Sequence, residues 1–428
     1  MKVLISAVGT TDPIRTNHDG PLLHIARIYK PEKIILIFSE EMIPRKNRIK
    51  EAIYSIKGYT PIIEVDEKIL LDSEVYIFDK MFEQISEIIS RYTNTEDEFI
   101  LNLSSATPQI ISAMFTINRI NDYNVRAVQV ATPANSSNEK NKYDNESDIA
   151  DLIKNNIDNC DSPQPRIIED ESEKFNSSLV KRNLRQLIQN YDYQAVYDLL
   201  NQPENTRLFP EPVREKLIAQ ILPFVQAFKY QRPLIDTLSQ EAFSEPAQKA
   251  FNHFLMLDIM ERRGLVADVL IKSKSLVEYI LQNYIEINYS GLIYADGHYP
   301  KINTNHALAG QVNEFIAEAF RKRMGRNYDS NKPYSTDSTL NIHSFINIIN
   351  CLEPDNQLVK LAETTLSLNS ERNRVAHGLS EINSKLVDKK LNNLISSIKQ
   401  LVQEVYSVEN NKFDYFDKKN SLLLDLLK

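Results

Sequence analysis

The chain has 428 residues, too many for one ordinary domain and enough for two or three domains that each bury a core. Hydrophobic residues make up 42% and charged residues 25% of it, which is the balance of a soluble globular protein. The net charge of −8 argues against a protein that coats nucleic acid nonspecifically, although it leaves room for a local basic groove.

The sequence carries no signal-peptide or transmembrane pattern. Its first apolar run is too short for a signal peptide, and no later run reaches the ~18 apolar residues of a membrane span. The two cysteines, Cys160 and Cys351, lack the spacing of a zinc or redox site. We therefore expect a cytoplasmic protein that does not associate with a membrane.

Strand-like and helix-like patterns alternate over residues 1–135. The predicted strands are KVLISAVG, EKIILIFS, TPIIEV, EFILNLS and NVRAVQVAT. The helical patterns between them are PLLHIARIYK, EEMIPRKNRIKEAIYSIKG, SEVYIFDKMFEQISEIISRY and PQIISAMFTINRI. Because strands this apolar are typical of a parallel sheet covered on both faces, the pattern predicts an α/β Rossmann-like domain.

The rest of the chain predicts a linker and then helices. Residues 136–169 are polar and rich in Asn, Ser, Asp and Glu, which indicates a linker with a short helix at IADLIKNNI. Residues 170–260 carry helical patterns broken by proline-containing turns and predict an all-α connector. Residues 261–428 predict a second all-α domain.

Two strand ends in the N-terminal domain are rich in hydroxyls and small residues. They are AVGTTDP, Ala7 to Pro13, and LNLSSATPQ, Leu101 to Gln109. Ligands of open α/β sheets bind outside the carboxyl ends of the strands, and a helix N-terminus there suits a phosphate or ribose. The alternative is plain N-capping, with Pro108 at the first helical position. The sequence contains no G-x-G-x-x-G after a strand and no Walker-type G-K-[ST].

A second candidate site lies in ERNRVAHGL near the end of the chain. On a helix, Arg372, Asn373, Ala376 and His377 form one stripe roughly 140° wide. RNA can be cut without metal where one group aligns the 2′-hydroxyl, a cation stabilises the added charge and an acid protonates the leaving 5′-oxygen. These residue types suit those roles, and two copies around a dimer axis would supply two His. The alternative is a solvated helix face with a His close to a glycine C-cap.

Motifs at both ends of the chain resemble one known family. RNRVAH resembles the R-N-x-x-A-H form of the R-x4-H signature of HEPN-domain ribonucleases. SAVGTTDP and NLSSATPQ resemble the CARF domain of the CRISPR-associated CARF-HEPN ribonucleases that accompany type III-A effector complexes. The resemblance covers the whole chain, with a helical connector between the two domains.

The resemblance implies a signalling endoribonuclease of type III CRISPR antiviral defence. A cyclic oligoadenylate, expected to be cyclic hexaadenylate with cyclic tetraadenylate as the alternative, would bind the two CARF domains of a homodimer. It would allosterically activate cleavage of single-stranded RNA by the paired HEPN domains, without stable association with the effector complex. No metal or other cofactor is implied, and some relatives also slowly degrade the ring in the CARF domain.

The same resemblance assigns candidate site residues. The implied catalytic residues are Arg372, Asn373 and His377. The implied contacts to the cyclic oligoadenylate are Gly9, Thr10, Thr11, Asp12, Ser39, Ser104, Ser105, Ala106, Thr107 and Gln109. At one position the chain departs from the family, because many members carry glycine in place of Ala106.

Other features leave alternatives open. The basic run RKRMGR, Arg321 to Arg326, is either a solvated helix face or a phosphate-binding patch. The stretch YADGHYPKINTN could grip RNA bases or form an ordinary surface loop. His24, His253, His298, His306 and His343 lack a spaced partner that would indicate metal. The rival function is a nucleotide-sensing regulator without catalysis.

Overall fold

The computed structural model describes most of the chain. The described residues are 1–93, 96–120, 125–133, 147–234, 238, 242–297, 299–331, 334–378, 381–382 and 384–428, with the backbone alone described at 377–378 and 384–389. They divide into two compact units, Met1–Asn176 and Ser177–Lys428. Among these residues, none of the helices combines the length and apolar character needed to cross a bilayer.

The first unit is built on a six-stranded sheet. Its elements are β1 (Lys2–Ala7), β2 (Ile14–Arg15), β3 (His18–Asp19), α1 (Pro21–Tyr29), β4 (Lys33–Ile37), a 3-10 turn (Ile43–Arg45), α2 (Lys46–Tyr54), β5 (Ile62–Val65), α3 (Phe78–Tyr92), β6 (Glu98–Asn102), α4 (Pro108–Ile120), β7 (Val125–Val130), α5 (Ile149–Lys154) and β8 (Ile167–Glu169). The strand order is β5-β4-β1-β6-β7-β8, and all neighbours are parallel except β7 and β8. The short β2–β3 hairpin stands apart from this sheet.

The apolar strands form a sheet with a core on each face, as their composition predicts. In β1, Val3 and Ile5 belong to the hydrophobic cluster under α3 and α4, whereas Leu4 belongs to the cluster under α1 and α2. All three side chains are at most 2% exposed. Successive side chains of a strand point to opposite faces, so a fully apolar run requires a cover on both.

The strand order determines where this sheet can bind a ligand. The chain runs from β1 through β4 to β5 on one side and then returns to β6 on the other side of β1. Strand order therefore reverses between β1 and β6, and the loops that leave their carboxyl ends border a crevice. These loops, residues 8–13 and 103–107, contain the two hydroxyl-rich motifs.

The predicted linker differs from the structure in its second half. Residues 134–146 lie outside the described residues, but residues 147–169 belong to the first unit. The predicted short helix is α5, and β8 pairs antiparallel with β7 at the sheet edge. Composition missed this packing because the segment buries polar groups, among them Asn156 and Asp158, which hydrogen-bond within the fold.

The second unit is helical. Its elements are α6 (Glu173–Gln189), α7 (Tyr193–Asn201), α8 (Pro203–Thr206), α9 (Glu211–Tyr230), α10 (Glu245–Arg262), α11 (Val266–Asn288), β9 (Ile293–Asp296), β10 (Tyr299–Ile302), α12 (Ala309–Met324), a 3-10 turn (Gly325–Asn327), α13 (Ile342–Leu352), α14 (Gln357–Leu366), α15 (Asn369–Gly378), α16 (Ser384–Tyr406), a 3-10 turn (Asn410–Lys412) and α17 (Tyr415–Leu426). One hydrophobic cluster runs through it from Leu184 to Leu427. The segments predicted as connector and final domain therefore share a core.

One departure from the all-α prediction is the β9–β10 hairpin. It lies in the stretch YADGHYPKINTN. The sequence left open whether this stretch grips RNA bases or forms an ordinary surface loop. Lys301 in this hairpin is held between Asp296 and Asp337, at 2.9 Å from each carboxylate. Its charge is thus neutralised locally. His298 lies outside the described residues.

Candidate functional site

The backbones of the two hydroxyl-rich loops lie in direct contact. A Cβ added to Gly9 would lie 2.5 Å from the backbone nitrogen of Ala106 and 3.1 Å from its Cα. Ordinary carbon contacts begin near 3.4 Å, so no larger residue fits between these backbones. Gly9 therefore sets the spacing between the loops after β1 and β6.

Asp12 stabilises the first loop through hydrogen bonds to its buried side chain. Its side chain is 1% exposed and accepts hydrogen bonds from the N–H groups of Gly9 (3.1 Å) and Leu22 (3.0 Å). Burial raises the pKa of Asp12 to about 6, against the lowering effect of hydrogen bonds from Ser105, Gly9 and Leu22. Asp12 and the buried Ser105 thus support the loops from within, and neither offers its polar atoms to a ligand.

The raised pKa of Asp12 makes stability depend on pH. From its ordinary value of 3.8 to about 6, the folded protein holds a proton that the unfolded chain releases. The free energy of unfolding should therefore fall as pH rises from about 4 to about 6, by up to ~3 kcal/mol. Calorimetric unfolding over this range should show the slope in the native sequence and not in Asp12→Asn. Equal slopes in both would contradict the assignment.

The second loop is fixed by a buried amide that the sequence did not single out. Asn102 donates to the hydroxyls of Ser6 and Ser105, at 2.9 Å each, and accepts from the Ser104 N–H at 2.9 Å. The Ser104 hydroxyl in turn accepts from the Val130 N–H at 2.8 Å. These bonds fix the backbone that follows β6.

The remaining predicted contact residues differ in their hydrogen bonds and in their exposure. The Thr107 hydroxyl donates to the Val75 carbonyl (2.9 Å) and accepts weakly from the Ile110 N–H (3.4 Å), so it contributes to the capping that the sequence offered as the alternative. Thr10 is exposed, whereas Gln109 and Ser39 are half-buried. Ser39 follows β4 at the same sheet edge, where its backbone bridges to Leu70.

Ala106 adopts an unusual backbone conformation. Its φ is +92°, in the range that favours glycine, and the sequence had marked this position as one where many family members carry glycine. Replacing Ala106 by Gly should relieve left-handed strain of about 1–2 kcal/mol, partly offset by ~0.5–1 kcal/mol of extra entropy in the unfolded chain.

Thermal unfolding should therefore show Ala106→Gly to be at least as stable as the native sequence. The matched control is Ala113→Gly in the interior of α4, which should lower stability by ~1 kcal/mol or more. If both variants lose the same stability, the strain at Ala106 is absent.

A pocket of about 620 Å³ opens at this switch point. Thr11 and Ser104, both predicted from sequence, line it. Arg15, Thr16 and Arg166 line it too and were missed. Arg15 lies just after the first motif, so its position in the sequence was a usable signal. Arg166 gave no such signal, because it lies in the segment predicted as linker. The pocket thus combines hydroxyls with guanidinium groups, a combination that suits an anionic ligand carrying ribose.

The floor of the pocket is a buried network of charges. The Asp19 carboxylate accepts from Arg27 at 2.6 and 2.9 Å and from the Asn156 amide at 2.7 Å. Arg166 donates to Asp158 at 3.1 Å. Burial alone would raise the pKa of Asp19, but hydrogen bonds from His24 and Arg27 hold that pKa below its ordinary value. Two carboxylates therefore face two guanidinium groups, and the network is balanced in charge.

His24 has partners that its sequence neighbourhood does not suggest. Its Nε2 accepts the backbone N–H of Arg166 at 3.0 Å, and its Nδ1 lies 3.6 Å from Asp19. Asp19, His24 and Asp158 place metal-ligating atoms within 4.8 Å of one another. All three are already bonded to Arg27, Arg166 or backbone groups, so we assign them to the fold rather than to a cation.

The second candidate site is the stripe on α15, which packs against α11. Arg372 is half-buried and donates to the Asn373 amide oxygen at 3.0 Å. Its Nε is buried and has no hydrogen-bond partner among the described residues. Asn373 is exposed. His377 lies on the same helix, and its side chain lies outside the described residues.

A small recess adjoins Arg372. It is lined by residues of α11, α13, α14 and α15, including Lys274, Ile342 and Leu366. Lys274 supplies a second cation that the sequence did not mark. The first unit is thus an α/β domain with a polar pocket at its switch point, and the second carries Arg372, Asn373 and His377 on one helix.

Comparisons with known proteins agree with this division. Residues 62–167 match the Cas_Csm6 CARF domain, and residues 238–424 match the Cas_Csm6 HEPN domain. The chain is 44% identical to the CRISPR system endoribonuclease Csm6 of Streptococcus thermophilus and 28% identical to that of Enterococcus italicus, over the full length of all three proteins. Its structure resembles Enterococcus italicus Csm6 bound to cyclic hexa-2′-fluoro-hexa-dAMP, with a TM-score of 0.69 and 25% identity across both whole chains. The chain belongs to the Csm6 family of CRISPR system endoribonucleases.

Proposed function

We propose that this endoribonuclease cleaves single-stranded RNA in type III CRISPR defence when a cyclic oligoadenylate binds its first unit. The observation that carries the proposal is the pocket at the β1–β6 switch point, in a chain whose relative from Enterococcus italicus binds a cyclic hexa-nucleotide analogue. We favour cyclic hexaadenylate as the activator, with cyclic tetraadenylate as the alternative. The protein acts in the cytoplasm without stable association with the effector complex.

The chemistry of the pocket supports a ring of this kind. Arg15 contributes a guanidinium group for a phosphate, Arg166 lines the pocket while paired with Asp158, and Thr11, Thr16 and Ser104 contribute hydroxyls for ribose. A symmetric ring would meet the same loops from each subunit of a homodimer, because an isologous dimer presents one surface twice. Gly9, Thr10, Asp12, Ser39, Ser105, Ala106, Thr107 and Gln109 complete the proposed ring-binding loops, some as contacts and others as their supports.

The proposed reaction needs no metal ion. The 2′-hydroxyl attacks the adjacent phosphorus, the 5′-oxygen leaves, and the products are a 2′,3′-cyclic phosphate and a 5′-hydroxyl. Arg372 stabilises the added negative charge, Asn373 orients the phosphate, and His377 transfers a proton. One chain has one such His, so a composite site of two chains supplies both a base and an acid.

The activator can work only through differential affinity for the active arrangement. We retain the predicted division of labour, with residues 1–135 carrying the sensor, 170–260 the connector and 261–428 the nuclease, and we add residues 147–169 to the sensor. The shared core of the second unit supports transmission through packed helices, since movement of one helix would be felt by its neighbours.

A slower second activity is supported by the hydroxyls of Thr11 and Ser104 in the pocket. They could position a ribose 2′-hydroxyl of the ring for attack on its neighbouring phosphate, which would open the ring and end the signal. Recovery of intact activator after long incubation with the protein would rule out this activity.

The main test uses purified protein and a fluorogenic single-stranded RNA in EDTA. Each assay is run without a ring, with cyclic tetraadenylate and with cyclic hexaadenylate, beside His377→Ala. Cleavage that requires one ring, persists in EDTA and disappears in the variant is the expected result. Ring binding without cleavage would favour the rival regulator, and failure to bind either ring would refute the sensor assignment.

A further inference from the structure

A second polar recess lies close to the α15 site. It has a volume of about 330 Å³ and opens between α12, α13 and α14. Its lining mixes the aromatic rings of Phe320 and Tyr334 with the side chains of Arg323, Asn347 and Glu363. The volume falls at the lower end of the ~300–1,000 Å³ range of small-molecule pockets, so the recess can hold one compact polar group.

This recess borders the one beside Arg372. Leu366 lines both recesses. Ile342 lines the recess at Arg372, and its two chain neighbours, Asn341 and His343, line the other. The charge of Lys274, which adjoins Arg372, also contributes to lowering the pKa of His343, after burial and Arg323. A molecule extending from Arg372 along α13 would therefore reach this recess.

Tyr334 offers an unused hydrogen-bonding group there. Its hydroxyl is buried and has no partner among the described residues. Burial raises the pKa of Tyr334, so the hydroxyl keeps its proton and can donate. A buried hydroxyl without a partner costs free energy, and native proteins retain few such groups without a reason. Tyr334 lines the recess, so a small rotation of its side chain would let an acceptor on a ligand there satisfy the hydroxyl.

Basic and aromatic groups line one side of the recess, at Phe320, Arg323 and Tyr334, and continue beyond it to Arg321 and Tyr328. Arg323 lies over the ring of Phe320 at 5.7 Å, and Arg321 lies over the ring of Tyr328 at 5.8 Å. Phe320 also contacts Tyr328 and Tyr334, with ring centroids 6.4 and 6.2 Å apart. Single-stranded nucleic acid is bound by this combination, because bases stack on aromatic faces and phosphates pair with cations.

We propose that this recess binds one nucleobase of the RNA substrate beside the scissile phosphate and thereby sets the base preference of cleavage. The proposal rests on the proposed function. Tyr334 and Asn347 contact the edge of the base, Phe320 packs against its face, and Arg323 pairs with an adjacent phosphate. The basic run Arg321–Arg326, which the sequence left open, thus contributes its third residue to substrate binding. Amides, hydroxyls and charges in the lining suit a base edge better than an apolar protein segment.

Two variants and one control separate these roles. Tyr334→Phe removes only the unpartnered hydroxyl, so it should leave the melting temperature unchanged or slightly raised. Arg323→Gln removes a cation that lines the recess. The control, Lys322→Gln, removes one cation from the preceding position of the same helix, where the side chain is exposed and pairs with Glu318 at 2.7 Å.

Two readouts are measured on the full-length protein. The first is ring-activated cleavage of four RNAs that differ in one base beside the cut. The second is binding of the matching 2′-O-methyl RNAs, which cannot be cleaved, by fluorescence anisotropy. Tyr334→Phe should lower binding and cleavage about 2- to 10-fold for the preferred base alone. Arg323→Gln should weaken binding and cleavage of all four RNAs roughly 10-fold, and Lys322→Gln should weaken them less than about 3-fold.

The outcomes separate this inference from the proposed function. If the native protein cleaves RNA with a base preference that Tyr334→Phe leaves intact, the inference fails and the proposed function stands. If the native protein never cleaves but binds RNA with a preference that Tyr334→Phe abolishes, the recess binds a nucleobase, but the part of the inference that concerns cleavage fails together with the proposed function. Equal losses from Arg323→Gln and Lys322→Gln, or a changed dimer equilibrium in Arg323→Gln, would also overturn the assignment.

Discussion

Replacing Arg372 by Ala is expected to lower ring-activated RNA cleavage about 10³-fold while leaving ring binding unchanged. Removing one preorganised group that stabilises transition-state charge typically costs 10²–10³-fold. The guanidinium of Arg372 donates to the Asn373 amide oxygen at 3.0 Å, which orients it before substrate arrives, and its buried Nε has no hydrogen-bond partner among the described residues.

Two further variants test whether charge alone explains that loss. Arg372→Lys keeps the charge but loses the planar fork, so it should restore only a small part of the activity. Arg374→Gln removes an exposed cation two residues away, one that pairs with Glu371 at 3.2 Å, and should retain most of the activity. Initial rates at saturating ring and RNA, with ring affinity by calorimetry, give the comparison. Similar losses in Arg374→Gln and Arg372→Ala would remove Arg372 from the reaction.

Replacing Gly9 by Ala should raise the ring concentration needed for half-maximal activation by about 10- to 100-fold. The new methyl group would have to move from 2.5 Å to 3.4 Å from the backbone nitrogen of Ala106, which forces the two proposed ring-binding loops apart by almost 1 Å. Overpacking of this kind typically costs ~1–3 kcal/mol, and here the displaced atoms belong to the proposed ring site.

The control for Gly9→Ala is Gly58→Ala. Gly58 has φ of +66° and no atom within 4 Å of an added Cβ, so the substitution strains the backbone without touching the loops. Activation curves and ring affinities should be normal in Gly58→Ala despite a modest loss of thermal stability. Unchanged activation in Gly9→Ala would mean that the loop spacing does not matter for the ring.

Local patterns predicted the framework of both sites. The apolar runs of β1, β4 and β6 identified a sheet buried on two faces, and the motifs after β1 and β6 lay at the switch point. The spacing of Arg372 and Asn373 placed them together on one helix. Each of these inferences depends on neighbours a few residues apart, which is the range over which periodicity carries information.

Long-range polar contacts were beyond the reach of the sequence. Asp19 and Asn156 meet across 137 residues, and Arg166 and His24 across 142. Such pairs follow no hydrophobic period, so composition marked Asn156 and Arg166 as linker. The direction of a hydroxyl is equally hidden, because Ser105 turns inward to Asn102 while Ser104 reaches the pocket.

The segment that ends in β8 is made after the other strands of the sheet, and this affects when the pocket lining is completed during synthesis. When β7 has left the ribosome, the five parallel strands are all present, but Arg166 and Asp158 are still missing from the floor of the pocket. A nascent chain, or a fragment ending at residue 135, therefore has the parallel strands but lacks part of the pocket lining. The lining of the pocket is complete only shortly before the helical unit is made, so on the proposed function the sensor and the nuclease would be completed close together in time.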